Sequence, residues 1–266
     1  MQRARCLNPE AVKGWFDLVE KWIINNNILP ENIWAMDESG FPPAFVGRQR
    51  VIGGRGVKTQ HQQGGANKEN VTALIGICAD GTTLDPMVIF KGKRLLKNIA
   101  HSENGWTDGS LARQWLEKVF DESTRAKANG RIRILLLDGH SSHYSYAFLE
   151  YARTNGIVIL AYPPHCTHAL QGLDVICFAR MKEAWKQEIK SFEGLNGCSV
   201  SKADFVGVFS QAFLRAFTPE TVKAAFEATG IHPFNRAVIT PEQMKPSTAT
   251  SVKGSFPLPQ PSPVRA

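Results

Sequence analysis

The sequence predicts an α/β fold: a mixed five-stranded sheet with helices on both faces, followed by a helical C-terminal extension. Three observations predict it. Short strand-like runs separated by turn signals fill the first part of the chain, as in an antiparallel meander. From Ser110 onward, helical and strand periods alternate. Between them, Ile132-Arg133-Ile134-Leu135-Leu136-Leu137 is a near-continuous apolar run, the pattern of a parallel strand buried on both sides.

Taken in order, Asn8-Pro9-Glu10 reads as a helix cap, a first-turn proline and a first-turn acid. Val12, Trp15, Phe16, Val19, Trp22 and Ile23 follow with a 3.6-residue period, and the Asn25-Asn26-Asn27 run before Pro30 should end the helix. Strands are expected at residues 32–37, 70–78 and 86–90, with a hairpin-like stretch around the Gly53-Gly54-Arg55-Gly56 cluster. That cluster lacks the Gly-Lys-Ser/Thr ending of a phosphate loop. Leu111, Trp115, Leu116, Val119 and Phe120 mark a helix, residues 132–137 a strand, Tyr146 to Tyr151 a helix, and residues 157–160 a strand. From Leu173 a helix presents Phe178, Met181, Trp185 and Ile189 on one side. A meander followed by β-α-β-α is the outline of an RNase H-like fold. Beyond Ser191, Phe205, Val208, Phe209, Ala212 and Phe213 keep helical spacing, Thr218-Pro219-Glu220 starts a helix, and Gly230 stands where a glycine ends one. The expected organisation is a lead-in helix over 1–33, a core over 34–190, a helical extension over 191–240, and a disordered Pro/Ser-rich tail over 241–266.

Composition narrows the function classes. With 43% hydrophobic and 21% charged residues among 266, the chain has the profile of an ordinary globular protein. Its 31 Lys and Arg against 24 Asp and Glu leave +7, which permits a polyanionic partner such as nucleic acid. The five cysteines are scattered and contain no C-x-x-C pair, so neither a disulfide framework nor a zinc knuckle is expected. No apolar run approaches the roughly 18 residues that span a bilayer, and Met1-Gln-Arg-Ala-Arg-Cys6 lacks a secretory apolar region. A soluble intracellular protein with no membrane partner and no small-molecule cofactor is expected.

Chemistry concentrates in three acids. Asp37 follows Trp-Ala-Met, Asp138 follows Leu-Leu-Leu, and Asp174 lies at the start of a helix in Leu-Gln-Gly-Leu-Asp-Val. A lone acid at such a place is commonly a solvated turn or a helix cap. A charge directly after an apolar run is costly unless it is paired or bound to a metal. If the first and fourth strands are neighbours, Asp37 and Asp138 lie side by side, and Mg²⁺ or Mn²⁺ would neutralise their repulsion. Glu38 follows Asp37, but strand alternation points it to the opposite face.

These segments resemble a known family. Trp34-Ala-Met-Asp-Glu-Ser-Gly-Phe41, Asp138-Gly-His-Ser-Ser-His143 and Pro164-His-Cys-Thr-His-Ala-Leu-Gln-Gly-Leu-Asp-Val-Ile-Cys-Phe178 resemble the three acidic motifs of the pogo/Tigger/jerky branch of DDE transposases, which includes centromere protein B. Asp138 and Asp174 are separated by 35 residues, a spacing typical of pogo-like fungal elements. Asn70-Val71-Thr72, Cys78-Ala-Asp-Gly81 and Gly230-Ile-His-Pro-Phe-Asn235 match further landmarks, so the similarity runs from about Pro9 to Arg236. The resemblance implies that Asp37, Asp138 and Asp174 form a metal-binding catalytic triad that cuts DNA and joins the freed 3′ end to a target strand. It also implies Mg²⁺ or Mn²⁺ as cofactor, DNA as partner, a homo-oligomer on transposon ends, and a nuclear location. Gly172 and Arg236 stand where the family has proline, which implies weaker local rigidity. Family members normally carry helix-turn-helix domains ahead of this region and none fits before Asn8, so a truncated copy, a split gene product or a core recruited for other work is expected, and a domesticated, non-catalytic DNA- or chromatin-binding protein is the alternative.

Two further groups complete the expectations. His140, His143, His165 and His168 form two H-x-x-H pairs. In the family such histidines stand beside the aspartates, where His140, His143 and His168 could contact phosphate or orient water. Arg48, Arg50, Arg55 and Lys58, and Lys91, Lys93 and Arg94, are candidates for tracking DNA phosphates.

Overall fold

The computed structural model describes residues 6–44, 70–92, 99–102, 107–139 and 145–244, with 99–102 described in backbone only. Six strands form one sheet: β1 (Ile33–Phe41), β2 (Val71–Cys78), β3 (Met87–Lys91), β4 (Ile99–Ser102), β5 (Arg133–Leu137) and β6 (Ile157–Ala161), in spatial order β4-β3-β2-β1-β5-β6. The meander β1-β2-β3 is antiparallel, while β5 joins β1 and β6 joins β5 in parallel. All five expected strands are present. The short β4, parallel to β3, extends the far edge; its Ile-Ala-His-Ser sequence is too brief and polar for periodicity to mark it.

Alternation along the central strands sorts side chains into two cores, one on each face. In β1, Ile33, Ala35 and Phe41 enter one core, and Trp34 and Met36 the other. In β5, Ile134 and Leu136 join the first while Leu135 and Leu137 join the second. The second core is closed by α2 (Gly109–Trp115), a π-helical stretch (Leu116–Asp121), α3 (Glu122–Ala128) and α4 (Tyr146–Thr154), through Trp115, Leu116, Phe120 and Phe148. The first is closed by α1 (Pro9–Val19), by α5 (Thr167–Leu170) with a π-helical turn (Leu173–Cys177), and by α6 (Phe178–Asn196), α7 (Lys202–Ala216) and α8 (Pro219–Ala228).

Local chemistry sets the helix ends. The Asn8 side chain accepts the Ala11 N–H at 2.9 Å, Thr218 caps α8, and Asn27 takes a left-handed φ of 50° in the asparagine run after α1. Gly230, at φ +69°, ends α8, where a Cβ would meet the Asn235 carbonyl oxygen at 2.2 Å. On α7, Phe205, Phe209 and Phe213 stack successively at 5.7 and 6.3 Å, and Phe213 on Phe217 at 4.6 Å.

Two expectations are corrected. The tail is not irregular from its first residue, because Pro241–Met244 forms one helical turn, α9. Thr240 N–H donates to Gln243 Oε1 at 2.8 Å and Gln243 N–H to Thr240 Oγ1 at 3.4 Å, a reciprocal cap legible in Thr-Pro-Glu-Gln. Arg236 is not a weak point either. It bonds Asp17 at 2.7 Å and Glu20 at 2.5 Å, fixing the C-terminal segment against α1 where a proline could not. The glycine-rich hairpin, and the tail beyond Met244, lie outside the described residues.

Candidate active site

Strand register brings the first two acids together. Ile33, Trp34 and Ala35 pair with Ile134, Leu135 and Leu136, and continuing this register two residues sets Asp37 level with Asp138, one position past the end of β5. Asp37 has the parity of Ile33 and Ala35, and Asp138 that of Ile134 and Leu136. Both therefore project to the face covered by the π-helical turn that carries Asp174. Glu38 has the parity of Trp34 and Met36, which face the other core. The site opens outward, with Asp37 and Asp138 half-buried and Asp174 exposed.

Electrostatics registers the convergence. Burial pushes the Asp37 carboxyl well above the usual carboxylate range, the charge of Asp174 adds to this, and that of Asp138 adds further. One hydrogen bond opposes them: the Glu38 N–H donates to Asp37 Oδ1 at 2.8 Å. Beneath lies Tyr162, whose phenol is raised first by burial and then by Asp37 and Asp174. Its ring packs on Trp15 at 4.9 Å, which ties α1 to the floor of the site. Like-charged oxygens held this way suit a hard divalent cation such as Mg²⁺ or Mn²⁺. Among the described residues, no three His, Cys, Asp or Glu side chains are already gathered closely enough to hold an ion.

Asp174 does not cap its helix. Gly172, in helical conformation, holds the position before the π-helical turn, and the turn itself aims the acid. Gly172 packs on the backbone of α8: a Cβ there would lie 2.5 Å from the Ala225 oxygen and 2.8 Å from its carbonyl carbon. The glycine that replaces the family's proline is thus a close-approach point and not a slack one. Gly172→Ala is expected to destabilise the fold by about 1–3 kcal/mol, the usual cost of overpacking, measured by urea unfolding. An unchanged midpoint would show that α8 yields freely.

The remaining sequence candidates separate. His168 is exposed on α5, and His165, at φ 62°, is exposed just before it. Lys91 is exposed at the end of β3. His140, His143, Arg48, Arg50, Arg55, Lys58, Lys93 and Arg94 lie outside the described residues. Sequence reasoning missed Tyr162, although Leu137 pairs with Ala161 and one more step sets Tyr162 level with Asp138. It also missed Gln171, which is fully buried with neither end of its amide hydrogen-bonded among the described residues.

A mixed sheet of this order, with Asp37 inside β1 level with Asp138 just past β5 and a third acid on the covering turn, is an RNase H-like fold. Residues 68–226 match the DDE superfamily endonuclease family, and the chain belongs to it. That match includes Asp138 and Asp174 and begins after Asp37. The chain is 34% identical over 227 residues to a Cochliobolus lunatus protein named MFS-type transporter clz9, covering 80% of this chain and 24% of that protein. Among the described residues no helix is long and apolar enough to cross a membrane. It is 26% identical over 137 residues to the human pogo transposable element with KRAB domain, covering 48% of this chain and 22% of that protein. The chain thus spans about a quarter of the length of these relatives, and the pogo similarity agrees with the branch that the three motifs resemble. In fold it is similar to the Mos1 transposase paired-end complex with left transposon end, at a TM-score of 0.60 and 13% identity, covering 86% of this chain and 59% of that one. The catalytic domain of Mos1 mariner transposase matches at 0.51 and 13%, covering 90% and 92%.

Proposed function

We propose that the chain is the catalytic core of a pogo-type DNA transposase, which hydrolyses phosphodiester bonds at element ends and transfers the freed strand to target DNA. The observation that carries this is the level pairing of Asp37 and Asp138 on adjacent parallel strands, with Asp174 close enough to raise Asp37. Asp37, Asp138 and Asp174 would hold Mg²⁺ or Mn²⁺, which when bound supplies positive charge against the charge developing on the phosphate. Mos1 mariner paired-end complexes, similar in fold, have been solved with Mn and with Mg, which supports the choice of ion.

The chain's own residues supply position. Rigid parallel strands fix Asp37 and Asp138, and Gly172 seated on α8 fixes the turn that carries Asp174. Phosphoryl transfer by this route needs alignment and charge neutralisation and no covalent protein nucleophile. The exposed His168 is proposed to contact DNA beside the acids, and Lys91, His140, His143 and the other basic residues are proposed as further DNA contacts. A DNA substrate implies a nuclear location, and the paired-end complex of Mos1 supports a homo-oligomer.

Asp138→Ala tests this. With Mn²⁺ and a DNA duplex bearing element ends, the wild type should nick DNA and the variant should lose about a hundredfold or more of that activity. Equal, metal-independent cleavage by both proteins would overturn the enzymatic reading. DNA binding without cleavage by the wild type would favour the domesticated, non-catalytic alternative.

A further inference from the structure

The proposed DNA reading leaves one cavity unused. It has a volume of about 220 Å³ and lies between the end of β1 and the middle of α6. Phe41, Trp185 and Ile189 form its buried floor, Pro42 one wall, and the exposed Lys182 and Lys186 its rim. Among the described residues its lining contains no carboxylate. The floor is rigid, because Trp185 Nε1–H donates to the Pro42 carbonyl at 2.9 Å and the Trp185 ring meets Phe41 edge-on at 6.2 Å.

Its place relative to the acids follows from element geometry. From Asp37 to Pro42 along β1 is five residues, and from Asp174 to Trp185 is eleven. At about 3.3 Å per strand residue and about 1.5 Å per helical residue, both paths measure roughly 16 Å. The two elements therefore run side by side from the carboxylates to the cavity, whose near wall, Gly40, begins roughly 10 Å from Asp37. A strand of DNA leaving the carboxylates in this direction meets lysines.

We infer that this cavity receives one unstacked base of the DNA strand held at the acids, with Lys182 and Lys186 on its flanking phosphates. The inference rests on the DNA reading above and specifies a subsite for it. A nucleotide divides as the cavity does, offering a neutral planar ring to an aromatic floor and anionic oxygens to a cationic rim. An acidic peptide would bring its charge to the apolar floor, where no partner waits. The volume also falls below the about 300–1,000 Å³ of sites for drug-sized ligands. Among the described residues Lys186 has a loose competitor, Glu183 at 3.9 Å, and the Lys182 ammonium sits 5.9 Å from the Phe178 ring.

The test uses metal-free protein and fluorescent oligothymidylate of about twelve nucleotides, within the usual range of single-strand site sizes. An abasic strand of equal length is the comparison, and anisotropy is followed across salt. Wild type should prefer the thymidylate by about fivefold or more, since stacking favours bases over bare backbone. Lys182→Glu with Lys186→Glu should weaken both strands by about tenfold or more and lower the salt slope by about two. Ala44→Leu, which fills the cavity, should erase the preference while keeping the slope. If circular dichroism shows that this variant does not fold, the lysine pair decides alone. Equal binding of the two strands by wild type, an unchanged slope in the lysine variant, or equal competition by polyglutamate would overturn the inference. Wild type that cleaves DNA but shows no base preference sinks the subsite alone. Wild type that neither binds nor cleaves DNA sinks the underlying reading.

Discussion

Asp37→Asn is expected to give a protein that resists heat better than wild type in the absence of metal and does not cleave DNA. The gain follows from what surrounds the carboxylate. It is half-buried, the charges of Asp174 and Asp138 press on it, and the Glu38 N–H donates to it in compensation. Asparagine keeps the shape and an oxygen to accept that bond, but it removes the repulsion. Each kcal/mol of relieved repulsion corresponds to roughly 2–4 °C in Tm for a chain of this size. The loss follows from the same substitution, because an amide oxygen binds a divalent cation less strongly and leaves its charge less balanced. Cleavage should fall by about a thousandfold. Differential scanning fluorimetry in EDTA and then in Mn²⁺ separates the two effects. Wild type should gain from the ion and the variant should gain much less. A variant that melts below wild type in EDTA would mean that the three acids are not under mutual strain, and the site would lose its physical basis.

How much of this was legible in the chain depends on the range of the interaction. Local period and turn chemistry located all five central strands, the Asn8 and Thr218 caps and the Gly230 stop, because each is decided within a few residues. The same means put both acids at strand ends, which holds for Asp138, just past β5, whereas β1 runs on to Phe41 and Asp37 lies inside it. That β1 and β5 are neighbours could only be supposed, since pairing between strands so distant in the chain leaves no local trace. The register is what sets the two acids level. Asp174 was legible through its motif alone, because an acid opening a helix commonly acts as a cap, whereas here a glycine and a π-helical turn take that place. Tyr162 and the α8 backbone beneath Gly172 were hidden for a different reason. Their roles arise from contacts between elements, and an apolar strand end or a lone glycine reads the same with or without such a partner.

Arg133 makes the same point with a larger consequence. A charge inside an apolar strand run signals a buried partner without naming it, and the structure supplies Asp121, a fully buried carboxylate at the end of the π-helical stretch. Arg133 Nη1 donates to Asp121 Oδ1 at 2.6 Å and to Thr124 Oγ1 at 2.9 Å, while its Nη2 reaches the Asn155 carbonyl at 2.7 Å. Tyr151 donates to Asp121 Oδ2 at 2.7 Å, and Arg125 pairs with the same carboxylate from the surface. Burial alone would raise the Asp121 carboxyl, but the bonds from Arg125, Tyr151 and Arg133 outweigh it and hold the group below the usual range. The folded state therefore binds this proton less tightly than the unfolded chain. The stability it confers is fully present above the ordinary carboxylate pKa of 3.8 and is lost as pH falls through the depressed value.

Asp121→Ala should cost about 3–5 kcal/mol, because it leaves the Arg133 guanidinium buried beside an emptied partner, and the Tm should drop by roughly 10 °C or more. Replacing both partners, as Asp121→Leu with Arg133→Met, should cost less than Asp121→Ala alone, since no stranded charge remains. Urea unfolding at neutral pH measures both. A single variant within about 1 kcal/mol of wild type would put the pair in the class of weak surface bridges. The effect should reach the acids as well. Arg133 opens β5, and Asp138 follows directly on its last residue, so whatever loosens the start of that strand loosens the register that holds Asp138 level with Asp37.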